Sequence, residues 1–322
     1  ARVLEVLELV EKAHQKKPSI KAIDPHKVAV IAASEGMVLL KNEDVLPLSK
    51  DSSIALIGAF AKNPRYQGGG SSHINPKHLV SPLEAFKAIY GKHLSYADGY
   101  DIHSDARNDA LEQEALKISE KADHVVLIIG LPDSYESEGY DRKHLNLPPN
   151  QNALVERLSA HPSLTVVLMN GSPVVMPWID QVPAVLEAYL GGEGVGEAIA
   201  DIITGTINPS GKLAETFPLA MEDFPVDHAF PGGLKQVVYQ ESLDVGYRAV
   251  HRLKLPVLFP FGHGLSYSAF AYKDMDAQVG KTSVQLTLTL ENTSEIAGAE
   301  VVQVYGHYQA SNLIRSTQFL TA

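Results

Sequence analysis

The chain of 322 residues contains no cysteine. That excludes disulfides, thiolate metal sites and a cysteine nucleophile, and it is compatible with a reducing compartment such as the cytoplasm. No apolar stretch approaches the roughly 18 residues that a membrane-spanning helix requires. Clusters of positive charge are missing too; the densest are the pairs Lys16-Lys17 and Arg142-Lys143. With a net charge of −11, the chain would repel a phosphate backbone, so nucleic acid is not an expected partner. The GxxxxGK[ST] phosphate loop does not occur, nor does a GxGxxG opening a helix directly after a strand. None of the 13 histidines stands in an HExxH-type spacing, which argues against a metal site. The first residues, Ala1-Arg2-Val3-Leu4-Glu5, lack the basic-then-apolar pattern of a signal peptide, and the chain reads as starting inside a larger protein.

What is present is an ordinary globular balance, 45% hydrophobic and 20% charged, on a chain long enough for two domains. Val3, Val6, Leu7, Val10 and Ala13 form one helical stripe, followed by a linker at about Lys16–Lys21. A second helix is expected from His26 to Glu35. Strand-like runs follow at Ile54–Gly58, Leu94–Ala97, His124–Gly130, Leu164–Met169 and Ala184–Tyr189. Helical segments separate them at Pro82–Tyr90, Arg107–Lys121, Pro149–Leu158 and Val195–Thr204. This alternation predicts an α/β fold with a doubly wound, mostly parallel sheet. Beyond Phe259 the pattern changes. Ser283–Leu290 alternates with period two and Val301–Tyr305 is strand-like, which predicts half-buried antiparallel sheet, a partial β-sandwich with few residues left to complete it.

The strongest strand signal is His124-Val125-Val126-Leu127-Ile128-Ile129-Gly130, apolar throughout as a strand covered on both faces must be. Ligands of open α/β sheets bind beyond the carboxyl ends of such strands. The loop that follows, Tyr135-Glu136-Ser137-Glu138-Gly139-Tyr140-Asp141-Arg142, carries acids, aromatics and an arginine at that edge. The loop after Ile54–Gly58 contains Gly68-Gly69-Gly70-Ser71-Ser72-His73, whose glycines allow close approach, and the two loops are expected as neighbours. Glu136 and Glu138, two apart in extended backbone, can share a face; Glu136 is read as bracing the loop. Arg142 is expected to brace it as well, against Asp141.

Several stretches resemble glycoside hydrolase family 3, which contains β-glucosidases and β-xylosidases. They are Met37–Glu43 with Leu46-Pro47-Leu48, Gly68–Ser72, Glu138-Gly139-Tyr140-Asp141-Arg142, Gly205–Pro218 (GTINPSGKLAETFP), Val245-Gly246-Tyr247-Arg248 and Phe259–Tyr267. Glu300–Tyr305 resembles the family's fibronectin-III-like domain. The resemblance is collinear over nearly the whole chain. It implies residues 1–25 as a helix and linker from a missing barrel domain, 26–268 as an (α/β)6 sandwich and 269–322 as part of the fibronectin-III-like domain. It implies retaining hydrolysis of terminal β-glycosides without a cofactor, with Glu138 as general acid/base and an Asp nucleophile on the barrel. Ser71, Ser72, His73 and Tyr140 are the expected substrate contacts. The family's Ser-Asp-Trp or Ser-Asp-Tyr nucleophile motif is not found; Ser104-Asp105-Ala106 is nearest and lacks the aromatic. The partners implied are a β-linked glycoside and the missing barrel, with a homo-oligomer as a further possibility through an unpaired strand edge. Two other readings stand beside this one: a non-catalytic sugar-binding or scaffold module, and a flavodoxin-like nucleotide domain, which the missing phosphate loop disfavours.

Overall fold

The computed structural model describes residues 2–15, 23–224, 230–233, 235–308, 312–313 and 315–321. The expected linker at 16–21 lies outside the described residues. Six strands form the main sheet: β1 (Val38–Asn42), β2 (Ile54–Ile57), β3 (Leu94–Ala97), β4 (His124–Gly130), β5 (Leu164–Met169) and β6 (Ala184–Glu187). Their spatial order is β1-β6-β5-β4-β2-β3; β1 pairs antiparallel with β6 and the other pairings are parallel. The sequence therefore places the parallel strands and their order of alternation, while β1 is an apolar run to which no pairing is assigned. Residues of β2, β5 and β6 are buried without exception, as is β4 after His124. Only a sheet covered on both faces gives this pattern, and it accounts for the unbroken apolar runs.

Helices α1 (Arg2–His14), α2 (Pro25–Gly36), α3 (Ala59–Lys62), α4 (Pro82–Tyr90), α5 (Asp109–Ser119), α6 (Pro149–Leu158), α7 (Val195–Ile203) and α8 (Tyr247–Leu253) complete the α complement. Their starts are set locally. Ser81 accepts from the Glu84 N–H while the Glu84 carboxylate accepts from the Ser81 N–H, with Pro82 at the first helical position, so α4 begins where its sequence dictates. Asp24 caps α2 by accepting from the His26 and Lys27 N–H groups, ahead of Pro25. α2 and α4 both pack on α7, and α5 packs on α6, which supplies the two helical layers. α1 buries none of its residues: Val3, Leu4, Val6, Leu7, Leu9 and Val10 are all exposed.

After the sheet come β7 (Phe217–Pro218) with β8 (Val257–Phe259), the hairpin β9 (Phe270–Val279) and β10 (Val284–Asn292), and β11 (Tyr305–His307) with β12 (Gln318–Leu320). The hairpin corrects the expectation of a half-buried sheet: almost every residue in it is exposed. Among the described residues no second sheet lies over it. β9 escapes sequence reading because Asp274 takes a positive φ and the register slips between Thr287 and Thr289. A bulge moves the following side chains to the other face, so apolar positions run 270 and 272, then 275, 277 and 279. Val301–Val304, expected as strand, is irregular; the strand begins at Tyr305. The tail returns to the main body through Lys212, whose ammonium lies 3.1 Å from Glu300 Oε1 and donates to Gly264 O.

Candidate active site

β2 has β3 on one side and β4 on the other, so the chain reverses its winding between β2 and β4. This is the topological switch point, the crevice where open α/β sheets take their ligands. The Gly-rich loop leaves from β2 and the acidic loop from β4, as the expectation that they are neighbours requires. Their contact is close. A Cβ on Gly69 would stand 2.9 Å from Ser137 Cβ, and one on Gly70, where φ is +90°, would stand 2.6 Å from Glu138 Cβ. Only glycine fits there, by both space and backbone conformation.

Glu138 is exposed at this rim. Its Oε2 accepts from the Ser71 hydroxyl and, at 2.7 Å, from the Ser71 backbone N–H. These two bonds, the hydroxyl's first, hold the carboxyl below its ordinary range and keep it ionised. Ser72 donates to Gly68 O at 3.2 Å, closing the Gly-rich turn on itself. His73 Nε2 lies 3.6 Å from Asp133 Oδ2, and the Tyr140 hydroxyl donates to Asp133 O. Ser71, Ser72, His73 and Tyr140 thus stand along one rim, and Ser71 touches the carboxylate. A cavity of about 330 Å3 opens on the Tyr140 side of the acidic loop, lined by Asp105, Tyr135, Tyr140, Asp141, Arg142 and His144 among others; neither Glu138 nor the Gly-rich loop lines it. Tyr135 donates to Asp105 at 2.8 Å, so the Asp of the Ser104-Asp105 pair serves this wall.

Glu136 points the other way. Its Oε2 accepts from Gly171 N–H at 2.8 Å and its Oε1 from the Ser172 hydroxyl, with the side chain largely buried. Arg142 Nη1 donates to Ser172 Oγ at 2.8 Å and to Pro173 O at 3.0 Å, so its brace is the segment after β5 and not the expected Asp141. Its Nε and Nη2 are buried without a hydrogen-bond partner among the described residues, and burial lowers its pKa. Below them lies a group of acids that sequence reading does not single out. Glu187, fully buried, accepts from Asn170 Nδ2 at 3.0 Å and from Tyr189 N–H at 2.9 Å. Burial pushes its carboxyl well above the usual range, and the charges of Glu215 and Glu136 push the same way. Glu215, 3.4 Å from the Tyr189 hydroxyl, is raised to about 7, first by burial.

Sequence reading also misses Arg65, whose side chain is 5% exposed. Nε donates to Gln67 O at 3.0 Å, Nη2 to Glu136 O at 2.8 Å, and Nη1 to Leu131 O; Asp133 Oδ1 stands 3.2 Å from Nε. One signal was available, a lone arginine just ahead of the glycines in Pro64-Arg65-Tyr66-Gln67-Gly68. For Glu187 the signal was a carboxylate closing an apolar strand, where burial follows from the strand itself. Among the described residues no group of three or more acids and histidines is placed to hold a metal ion.

Residues 37–267 match the family model described as the glycosyl hydrolase family 3 C-terminal domain. The chain is 46% identical over 312 residues to thermostable beta-glucosidase B of Acetivibrio thermocellus, covering 94% of this chain and 41% of that protein. It is 41% identical over 297 residues to an exo-alpha-(1->6)-L-arabinopyranosidase of Bifidobacterium longum, covering 88% and 39%. The crystal structure of the Bifidobacterium adolescentis GH3 beta-glucosidase superposes with a TM-score of 0.93 at 38% identity, over 99% of this chain and 48% of that one. The chain therefore spans less than half the length of these relatives. With the family model matched across the whole sheet domain, the chain belongs to glycoside hydrolase family 3, and what it carries is that family's C-terminal domain.

Proposed function

We propose that this chain is the acid/base half of a retaining β-glycosidase, with Glu138 as the catalytic carboxyl. Retaining hydrolysis needs one carboxylic acid to protonate the leaving oxygen and a second carboxylate about 5 Å away to attack the anomeric carbon. The acid then returns as the base that draws a proton from water. The observation that carries the reading is the pairing of Glu138 with Ser71 at the switch-point rim: an exposed carboxylate held in place by two hydrogen bonds. Glu136 is turned in onto Gly171 and Ser172, which supports the bracing role for it, whereas Glu138 stays exposed to an incoming substrate. Ser71, Ser72, His73 and Tyr140 would meet the sugar or its leaving group.

The nucleophile is proposed to lie on a barrel domain outside this chain, packed over the rim. Residues 26–268 then form the (α/β)6 sandwich and 269–322 part of a fibronectin-III-like domain. The exposed apolar stripe of α1 and the exposed hairpin support that division, since among the described residues neither face is covered. A β-glucoside is the substrate class favoured by the names of the relatives, one of which is nevertheless an arabinopyranosidase. The test is to assay the chain alone, then with a barrel domain supplied. Alone it should cleave aryl-β-glucosides no faster than buffer, because no glycosyl-enzyme ester can form. Turnover by a clean preparation of the chain alone would sink the assignment of a missing half.

A further inference from the structure

We propose that Arg65 is a positioning residue for the acid/base step: its guanidinium locks the acidic loop to the Gly-rich loop and so fixes where the Glu138 carboxylate stands. The inference rests on the reading of Glu138 given above. Arg65 touches neither Glu138 nor Ser71 directly; besides its ion pairs with Asp133 and Glu136, it holds main chain on both sides of the crevice. On the acidic loop it binds Leu131 O, where that loop leaves β4, and Glu136 O, two residues before Glu138. On the other side it binds Gln67 O, four residues before Ser71. The two loops are then referenced to one rigid plane, and across their junction the Ser71 N–H meets Glu138 Oε2 at 2.7 Å.

The chemistry requires arginine. A guanidinium offers five N–H donors in a fixed fork, whereas a lysine ammonium is a point donor on a flexible stem. Three carbonyls in three directions can be held together by the fork and not by the point. Burial makes the arrangement strict, because water cannot replace the lost donors at a side chain that is 5% exposed. The far side of the same turn is fixed by the Glu136 carboxylate, which accepts from Gly171 N–H and Ser172 and lies 3.8 Å from Arg65 Nη2. Glu138 thus sits at the end of a turn clamped from two directions, and Arg65 is the clamp that sets its distance to Ser71. Misplacing a reacting group by about 1 Å costs roughly 100-fold in rate.

Two measurements test this. In the chain as it stands, the side-chain carboxyl carbon of Glu138 is titrated by NMR in wild type, Arg65→Lys, Arg65→Ala and Ser71→Ala. Loosening the junction should lose the Ser71 bonds, so both Arg65 variants should raise the Glu138 pKa to the value seen in Ser71→Ala. An unchanged value in a folded Arg65 variant would overturn the proposal; Arg65→Lys is the arm to read if Arg65→Ala does not fold. In the enzyme complete with its barrel, Arg65→Lys should lower kcat roughly 10- to 100-fold on an alkyl glucoside. The loss should be smaller on a nitrophenyl glucoside, with KM nearly constant, and Arg65→Lys/Glu138→Gln should be no slower than Glu138→Gln. Equal losses on both substrates, or additive losses in the double variant, would make Arg65 merely structural. If Glu138→Gln itself shows no leaving-group dependence, the reading of Glu138 has failed, while the titration still decides whether Arg65 governs the Ser71–Glu138 junction.

Discussion

At the residue scale, the carboxyls around the crevice divide by their surroundings. Glu138 is solvated and doubly hydrogen-bonded by Ser71, which keeps it ionised, the form suited to activating water. Protonating a leaving group needs the opposite bias, and a wall closing over the rim would supply it by stripping water from the carboxylate. Glu187 and Glu215, behind it, are biased towards the neutral form by burial. The sign of their effect on stability follows. The folded carboxyl of Glu215, raised from 4.5 to about 7, binds protons that the unfolded chain has released across that interval. Its stabilisation is complete below the unfolded pKa and is lost as pH rises towards about 7. Glu215→Gln should therefore flatten the fall in melting temperature between about pH 5 and 8; calorimetry checks this, and an unaltered slope would contradict it. Glu138, the proposed acid/base, could be singled out in the sequence because its neighbours, Gly139-Tyr140-Asp141-Arg142, are contiguous. Arg65 could not, since its three carbonyl partners are brought together only by the loops' return.

Among the elements, the sheet was the most readable. β4 and β5, and the helices α4 and α6, coincide with their apolar runs and proline starts, because burial on two faces and a fixed φ at the first turn leave little choice of boundary. β9 was hidden by its bulge, and the exposed hairpin shows that alternation reports the potential for burial, not its partner. Other stretches that carry the family resemblance proved to be packing. Leu265 bridges β1 at Leu39, and the Tyr267 hydroxyl donates to Ile202 O behind the sheet. The junction of the two loops makes its own prediction. Gly70→Ala places a methyl 2.6 Å from Glu138 Cβ at a φ of +90°. The strain should cost about 1 kcal/mol in global stability. Activity of the complete enzyme should fall further than that, as the carboxylate is pushed off Ser71. Melting temperature and kcat measured together check the pair; full activity in Gly70→Ala would mean the contact yields freely.

At the scale of the molecule, one sheet domain is well covered, while among the described residues nothing covers α1 or the β9–β10 hairpin. The core formed by β2, β4, β5 and β6 is buried except at His124, whereas α1 and the β9–β10 hairpin expose most of their apolar side chains. Local opening should follow that division. Hydrogen exchange on the isolated chain should be slowest in β4 and β5 and fastest in α1 and the hairpin. Adding a barrel domain should slow exchange in the 131–146 loop. Equal protection in the hairpin and in β5 would mean that the hairpin is already partnered, for example by a second copy through its free edge.

The central claim is that Glu138 is the acid/base. Its most direct test is the leaving-group dependence of Glu138→Ala in the enzyme complete with its barrel. Turnover of glucosides with poor leaving groups should collapse. A dinitrophenyl glucoside, whose leaving group needs little protonation, should still form the glycosyl-enzyme, and added azide should speed its release as glucosyl azide. Losses independent of the leaving group, without azide rescue, would contradict the account, and the same pattern appearing in Glu136→Ala instead would transfer the role to Glu136.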